Sequence, residues 1–388
     1  MLFYSFCFYL ICISSPPLEV CLSKETATVA FLFFYPFILM KYSVIVPVYN
    51  RPEEVDELLD SLTRQTLCDF EVIIVEDGSQ TPCQEVCDKY ADHLDLKYFM
   101  KENSGPGQSR NYGVERAAGE YVIILDSDVV LPKGYLQAVD DELRQEPCDA
   151  FGGPDRAHDS FTDTQKAISY SMTSFFTTGG IRGGKKKLDK FYPRSFNMGI
   201  RRDVYQELGG FSRMRFGEDI DFSIRIFKAG CKCRLFPGAW VYHKRRTDFR
   251  KFWRQVYNSG IARINLYKMY PESLKLVHLL PMVFTVGMFF LITMFLIGIL
   301  VGIFICPYVD PPFGLMICTA SLLFPMLYSL LIFADSSIRN RSLIIGLLSI
   351  RAAFTQLMGY GCGFLMAWWK RCVRGRDAFS AYDKNFYQ

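Results

Sequence analysis

The chain is predicted to be an α/β protein: a mostly parallel sheet flanked by helices, followed by C-terminal transmembrane helices. Three observations lead there. From residue 42 onwards, short apolar runs rich in β-branched residues alternate with helical patterns. Charges gather between about residues 41 and 275, whereas 276 to 369 is dominated by long apolar runs. Half of the 388 residues are hydrophobic, enough for a large core and a membrane part together.

The elements follow in order. "YSVIVPV" reads as a strand, and "PEEVDELLDSLTRQT" as a helix with Val55, Leu58, Leu59 and Leu62 on one face and carboxylates in its first turn. "FEVIIV" repeats the strand, "QEVCDKYADHL" the helix, "LKYFM" a strand, "GQSRNYGVERAAG" a helix, and "YVIIL" a further strand. Continuous apolar strands separated by helices imply a parallel sheet covered on both faces. Ligands of such sheets bind beyond the carboxyl ends of the strands. "PVYNR", "EDGS" and "DSD" occupy three of those ends and are expected to converge on one crevice, although such residues also serve as ordinary turn and cap residues.

The net charge of +4 gives no reason to expect nucleic acid as a partner. Thirteen cysteines without a CxxC pair read as free thiols of a reducing compartment, not as a zinc or redox site. Residues 1–39 lack a basic segment ahead of their first apolar run, and Met40 directly precedes the first strong strand. They are expected to be a mispredicted extension, with a signal peptide or weak anchor as the competing reading. The remaining chain divides into a catalytic domain over 40–250, an amphipathic linker over 251–278, a membrane region over 279–369 and a basic tail over 370–388.

Asp126 and Asp128 close the "YVIIL" strand. Alone they cap a loop or bind a divalent cation, and oxygen ligands favour Mg²⁺ or Mn²⁺, ions that also hold substrate phosphates. A nucleotide diphosphate is then the natural substrate. "GEDIDF" brings Glu218, Asp219 and Asp221 together at a helix start, where acids are common for dipole reasons alone. His243, in "AWVYHKRR", follows a short apolar run that should return to the crevice; it is read either as structural or as a metal ligand. "TTGGIRGGKKKLDKFYPRSFNMGIRR" reads as a flap over substrate or as a surface insertion.

Taken together, "SVIVPVYNR", "VIIVEDGS", "NSGPGQSRNYG", "LDSD", "FNMGIRRDVYQELGGF" and "GEDIDFSIRIFKAG" resemble the family 2 glycosyltransferases of the GT-A fold, over about residues 42 to 260. The resemblance implies that Pro47 and Tyr49 line the base pocket, that Asp77 accepts from uracil or its equivalent, and that Arg51, Arg110, Asp126 and Ser127 help hold the nucleotide sugar. It implies a metal, Mg²⁺ or Mn²⁺, on Asp128, with Asp126 and His243 as further ligands. Asp219 becomes the general base, with Glu218 beside it as a catalytic acidic residue, and transfer inverts the anomeric carbon.

The expected reaction moves a sugar from a nucleotide diphosphate sugar, a UDP-sugar being favoured, to a lipid-linked or growing glycan acceptor in cell-surface polysaccharide biosynthesis. The alternatives are a processive polysaccharide synthase and an inactive membrane scaffold. "FWRQVYNSGIAR" does not match the QxxRW of processive synthases, and the intact acid motifs argue against the scaffold.

Leu279 to Ile305 and Pro311 to Ala334 are uncharged and long enough, at ~1.5 Å per residue, to span a ~30 Å core. "CPYVDPP" between them has no Lys or Arg and should face outward. "SSIRNRS" has two arginines and should face the cytoplasm with the catalytic domain, in a multi-pass protein of the cytoplasmic (inner) membrane. From Ser342 to Trp369 a third apolar segment is interrupted by Arg351. Its length favours a span, and the basic tail after it favours the interface; a third membrane segment of unfixed depth is expected.

Overall fold

The computed structural model describes residues 41–156, 161–179, 192–214, 216–244, 247–304 and 312–376. The expectations for residues 1–39, most of the glycine-rich segment, the first membrane link and the end of the tail lie outside the described residues.

The first half alternates as predicted. β1 (Tyr42–Val48), α1 (Pro52–Thr63), β2 (Phe70–Asp77), α2 (Gln84–Tyr90), β3 (Asp95–Lys101), α3 (Pro106–Val114) and β4 (Tyr121–Leu125) follow one another. β5 (Val129–Val130), α4 (Tyr135–Gln145), β6 (Ala150–Gly152), β7 (Asp155–Arg156), α5 (Asp163–Thr173), α6 (Phe175–Thr178), β8 (Asn197–Arg201), α7 (Arg202–Glu207), α8 (Glu218–Lys228), β9 (Cys233–Leu235) and β10 (Val241–His243) complete the catalytic part.

A seven-stranded sheet runs in the order β3-β2-β1-β4-β8-β6-β9, and β5, β10 and β7 form a second, small sheet. β1 pairs in parallel with β2 and β4, and β2 with β3; β8 enters antiparallel between β4 and β6. Side chains alternate across each strand. Val44, Val46, Val72, Ile74 and Ile123 therefore share one face with Leu58, Leu59 and Leu62 of α1 and Tyr135 and Val139 of α4. Ile45, Ile73, Val75, Val122 and Ile124 share the other with Val114 of α3 and Phe222 and Ile226 of α8. Covered on both faces, β1, β2 and β4 carry central apolar runs, whereas the edge strand β3 is partly exposed and mixes in Asp95, Lys97 and Lys101.

After the catalytic part come α9 (Phe249–Met269), α10 (Leu280–Phe304), α11 (Phe313–Asn340) and α12 (Leu343–Trp368). α10, α11 and α12 lie in three stretches long and apolar enough to cross a membrane, at mean hydropathies of 2.7, 2.1 and 1.4. The cysteines among the described residues are free thiols.

Candidate active site

The strand ends predicted to converge are bonded to one another. Asn50, in the left-handed region at φ 53°, follows β1. Its side-chain oxygen accepts from the backbone N–H groups of Gln80 at 2.7 Å and Thr81 at 3.0 Å, and its own N–H donates to Ser79 Oγ at 2.7 Å. The turn after β1 is thus tied to the turn after β2. The next residue, Arg51, donates to Asp128 Oδ2 at 2.7 Å, reaching the end of β4. Pro47 and Tyr49 are half-buried beside it, and Ser127 is buried between the two acids.

Asp77 is buried at the end of β2. Its two carboxylate oxygens accept from the backbone N–H groups of Ser104 at 2.9 Å and Gly105 at 2.8 Å, and Lys101 also pairs with it. Asp77 therefore ties β2 to the start of α3, and the base-accepting part expected of it shares the carboxylate with these bonds.

Asp126, Asp128 and His243 each offer a ligand atom, and these atoms lie within 4.8 Å of one another. The small sheet brings them together. β10 pairs antiparallel with β5, opposing His243 to Val129, and Lys244 N–H donates to the Asp128 carbonyl at 3.0 Å. His243 Nε2 then stands 3.2 Å from Asp128 Oδ1, with its ring stacked on Phe196 at 4.8 Å between centroids. Two carboxylates and an imidazole are a donor set that suits Mn²⁺ or Mg²⁺, so the residues present fit the expected cation.

The three acids of "GEDIDF" go three ways. Successive residues of a helix are rotated by about 100°, so α8 spreads them around its axis. Asp221 is buried and bonded to Arg225 Nη2 at 2.9 Å and to the Tyr270 hydroxyl at 2.8 Å, a structural pairing that locks α8 to the end of α9. Glu218 turns inward to Arg110 Nη1 at 3.0 Å. Asp219 is the most accessible of the three, with 18% of its side chain exposed, and meets Arg194 Nη1 at 3.1 Å.

Arg110, buried on α3, also donates through Nη2 to Asp126 Oδ1 at 2.8 Å. One guanidinium thus joins the acid at the end of β4 to the acid at the start of α8. Burial, and then the charge of Asp219, push Glu218 up to about 7, and the opposing pull of Arg110 does not cancel them.

Sequence reasoning missed Arg194 and Phe196. Both precede β8 in "YPRSFNMG", where an arginine three residues before the Asn197 motif is the one available signal. Asn197 itself is buried, accepting from the Tyr135 hydroxyl at 2.6 Å and donating to the Ala239 carbonyl at 2.8 Å, so it ties β8 to the loop leading into β10.

The family model for glycosyl transferase family 2 matches residues 43–209. That stretch is a family 2 glycosyltransferase domain. It contains Asp77, Arg110 and Asp126 to Asp128, whereas Glu218, Asp219 and His243 lie beyond its matched end. The poly(ribitol-phosphate) β-N-acetylglucosaminyltransferase TarS of Staphylococcus aureus is 40% identical over 103 residues, which are 26% of this chain and 18% of TarS. The glycosyltransferase EpsJ of Bacillus subtilis is 34% identical over 212 residues, 52% of this chain and 60% of EpsJ. The chain therefore spans less than two thirds of either relative.

Among solved structures, the mannosyltransferase PcManGT of Pyrobaculum calidifontis, in complex with GDP-Man and Mn²⁺, is similar at a TM-score of 0.51 and 15% identity. The likeness covers 95% of this chain and 94% of that one, and it is a likeness of fold. The family 2 domain and its extension have the GT-A fold, followed by three apolar helices.

Proposed function

We propose that the chain transfers a sugar from a nucleotide diphosphate donor to a hydroxyl of a lipid-linked or growing glycan acceptor, with inversion, at the cytoplasmic face of a membrane. The observation that carries the proposal is the cluster of Asp126, Asp128 and His243 within 4.8 Å, beyond the carboxyl ends of a parallel sheet and flanked by Arg51 and Arg110.

In this reading Asp128, Asp126 and His243 hold Mg²⁺ or Mn²⁺. The cation supplies Lewis-acid neutralisation of the leaving diphosphate. Arg51 and Arg110, which neutralise the two acids when no donor is bound, turn their charge to the diphosphate when it arrives. Pro47 and Tyr49 border the base, and a UDP-sugar is the favoured donor. Asp219 takes the proton of the acceptor hydroxyl. The acceptor oxygen then bonds to the anomeric carbon while the carbon–oxygen bond to the diphosphate breaks on the opposite face. Arg194 holds the Asp219 carboxylate in place, and Glu218 positions Arg110 without touching substrate.

Sidedness is supported by charge. The first membrane link carries no Lys or Arg, whereas Arg339 and Arg341 lie at the turn from α11 to α12. The second half of α11 also meets the catalytic part, where the Tyr170 hydroxyl donates to Asp335 Oδ2 at 2.6 Å and the Tyr328 hydroxyl to the Phe176 carbonyl at 3.1 Å.

A panel of UDP-, GDP- and TDP-sugars, assayed for Mn²⁺-dependent hydrolysis and transfer, tests the proposal with Asp128→Ala alongside. Turnover of at least one donor, lost in the variant, is expected. Failure with every donor, or undiminished activity in the variant, overturns it.

A further inference from the structure

α12 is long and apolar enough to cross a membrane, yet its neighbours do not lie where those of a third span would. It meets α10 in that helix's first two turns, where Thr285 Oγ1 donates to the Leu357 carbonyl at 3.2 Å and the Phe284 and Phe354 rings stand 5.6 Å apart. It meets α11 in the second half of that helix, where the Ser336 and Ser349 hydroxyls are 2.7 Å apart and the Tyr328 and Phe354 rings 5.7 Å apart. Both contacts fall at the end of the α10–α11 pair that adjoins Tyr170 and Phe176 of the catalytic part.

Farther along, α10 and α11 meet each other. A Cβ on Gly314 would come within 2.6 Å of the Gly298 carbonyl oxygen, while Phe290, Leu296 and Ile303 of α10 and Leu315 and Leu323 of α11 are exposed. α12 therefore lies across the base of a two-helix pair.

The rest of α12 is matched by α9. Phe249 lies under the Arg351 guanidinium at 4.5 Å, and Asn265 accepts from Arg371, so the two helices run side by side in the same direction. They are close enough that a Cβ on Gly260 would stand 2.1 Å from the Tyr360 carbonyl oxygen, and one on Gly363 2.0 Å from that of Tyr257. α9 is no membrane span, since Arg250, Lys251, Arg254 and Lys268 are exposed along it. Taking α12 through the hydrocarbon would carry these cations with it, and charges there are costly.

The exposed groups on the two helices suit a different place. Trp253, Trp368 and Trp369 are exposed, as are Arg351, Arg374 and Arg376, while Leu343, Ile344 and Leu347 offer an apolar face. A groove of about 550 Å³ between the helices has apolar walls, including Trp253, Ile350, Phe354 and Met358, with Arg351 at its rim. Tryptophan, arginine and apolar surface on one helical pair are the makeup of a segment lying at headgroup depth.

We propose that α12 does not cross the membrane but lies with α9 along the phospholipid headgroup layer on the catalytic side, leaving α10 and α11 as the crossing helices among those described. The proposal goes beyond the catalytic reading, and its tests require no transfer activity.

The test is one of parity on the full chain. One protease-cleavable tag is inserted in the turn at Pro147 of the catalytic part and a second follows Gln388, and both are probed in sealed inside-out vesicles and in intact cells. An even number of crossings between the tags leaves them on the same side, so both should be lost in one preparation and both retained in the other. Tags on opposite sides would overturn the proposal. In the same vesicles, a photoactivatable reagent confined to the membrane should label the Leu343–Leu347 face of α12; its failure to label α12 while labelling α10 would overturn the membrane contact.

Discussion

Arg51 donates to Asp128 at 2.7 Å, spanning the crevice from the turn after β1 to the end of β4. The guanidinium occupies the carboxylate oxygen opposite the one that faces His243, so in the proposed reaction cation and donor diphosphate both meet Arg51 as they enter. Arg51→Ala should raise the KM for the nucleotide sugar by about tenfold, the worth of one charge-assisted contact. The Mn²⁺ concentration for half-maximal activity should stay level or fall, because Asp128 loses a competitor. Steady-state kinetics across donor and metal concentrations measure both.

Asp219→Asn should lower kcat by about 10²- to 10⁴-fold, the range for loss of a general base. Donor binding, followed by isothermal titration with Mn²⁺ and the nucleotide diphosphate, should be nearly unchanged. A variant that keeps its turnover removes Asp219 from the mechanism.

His243→Ala tests the third ligand. The Mn²⁺ requirement should rise about tenfold or more, as when a metal's support is weakened, while the fold is retained. An unchanged metal titration would return His243 to a structural place under Phe196.

Glu218 gives a pH dependence whose sign is fixed. Its folded value of about 7 lies above the ordinary glutamate value of 4.5, so the folded state holds the proton more tightly than the unfolded chain. The stability this contributes is complete below about pH 4.5 and is lost as pH rises through about 7. The wild type should lose on the order of 3 kcal/mol between these limits, at ~1.36 kcal/mol per unit, and Glu218→Gln should flatten that slope. Thermal melts from pH 5 to 8.5 compare the two.

Asp77→Ala should destabilise the fold by about 3 kcal/mol, since a buried carboxylate bonded to two backbone N–H groups leaves both unpaired. Asp77→Asn keeps one acceptor and should cost less. Chemical denaturation ranks the three proteins, and donor affinities of the same variants show how far the carboxylate also serves the base.

The donor half was legible because its signals are long. β1, β2 and β4 are buried on both faces, so four or five apolar residues in a row announced each strand, and the polar clusters behind them had to share one edge. The acceptor half was not. β5 and β7 have two residues each and β10 three, too short for any periodicity, yet the β5–β10 ladder is what carries His243 to Asp128. The acids of α8 were visible as a group, but their division between Arg110, Arg194 and Tyr270 depends on partners up to 108 residues away. The third apolar segment was ambiguous for a similar reason: its own residues do not name its neighbours, Phe249 and Asn265 of α9 and Tyr328 of α11.

The sheet order has a consequence for how the chain acquires its fold. β1, β2, β3 and β4 pair among themselves and lie within residues 42–125, so this half closes through local crossovers. β8 can be inserted beside β4 only after some seventy further residues have been made, and β9 completes the far edge later still. Local contacts form quickly and distant ones slowly, and synthesis delivers the N-terminal elements first. The half that carries Asp77 and Asp126 thus matures as an early unit, and α8, with the Asp219 proposed as general base, joins it later, before β9 closes the far edge.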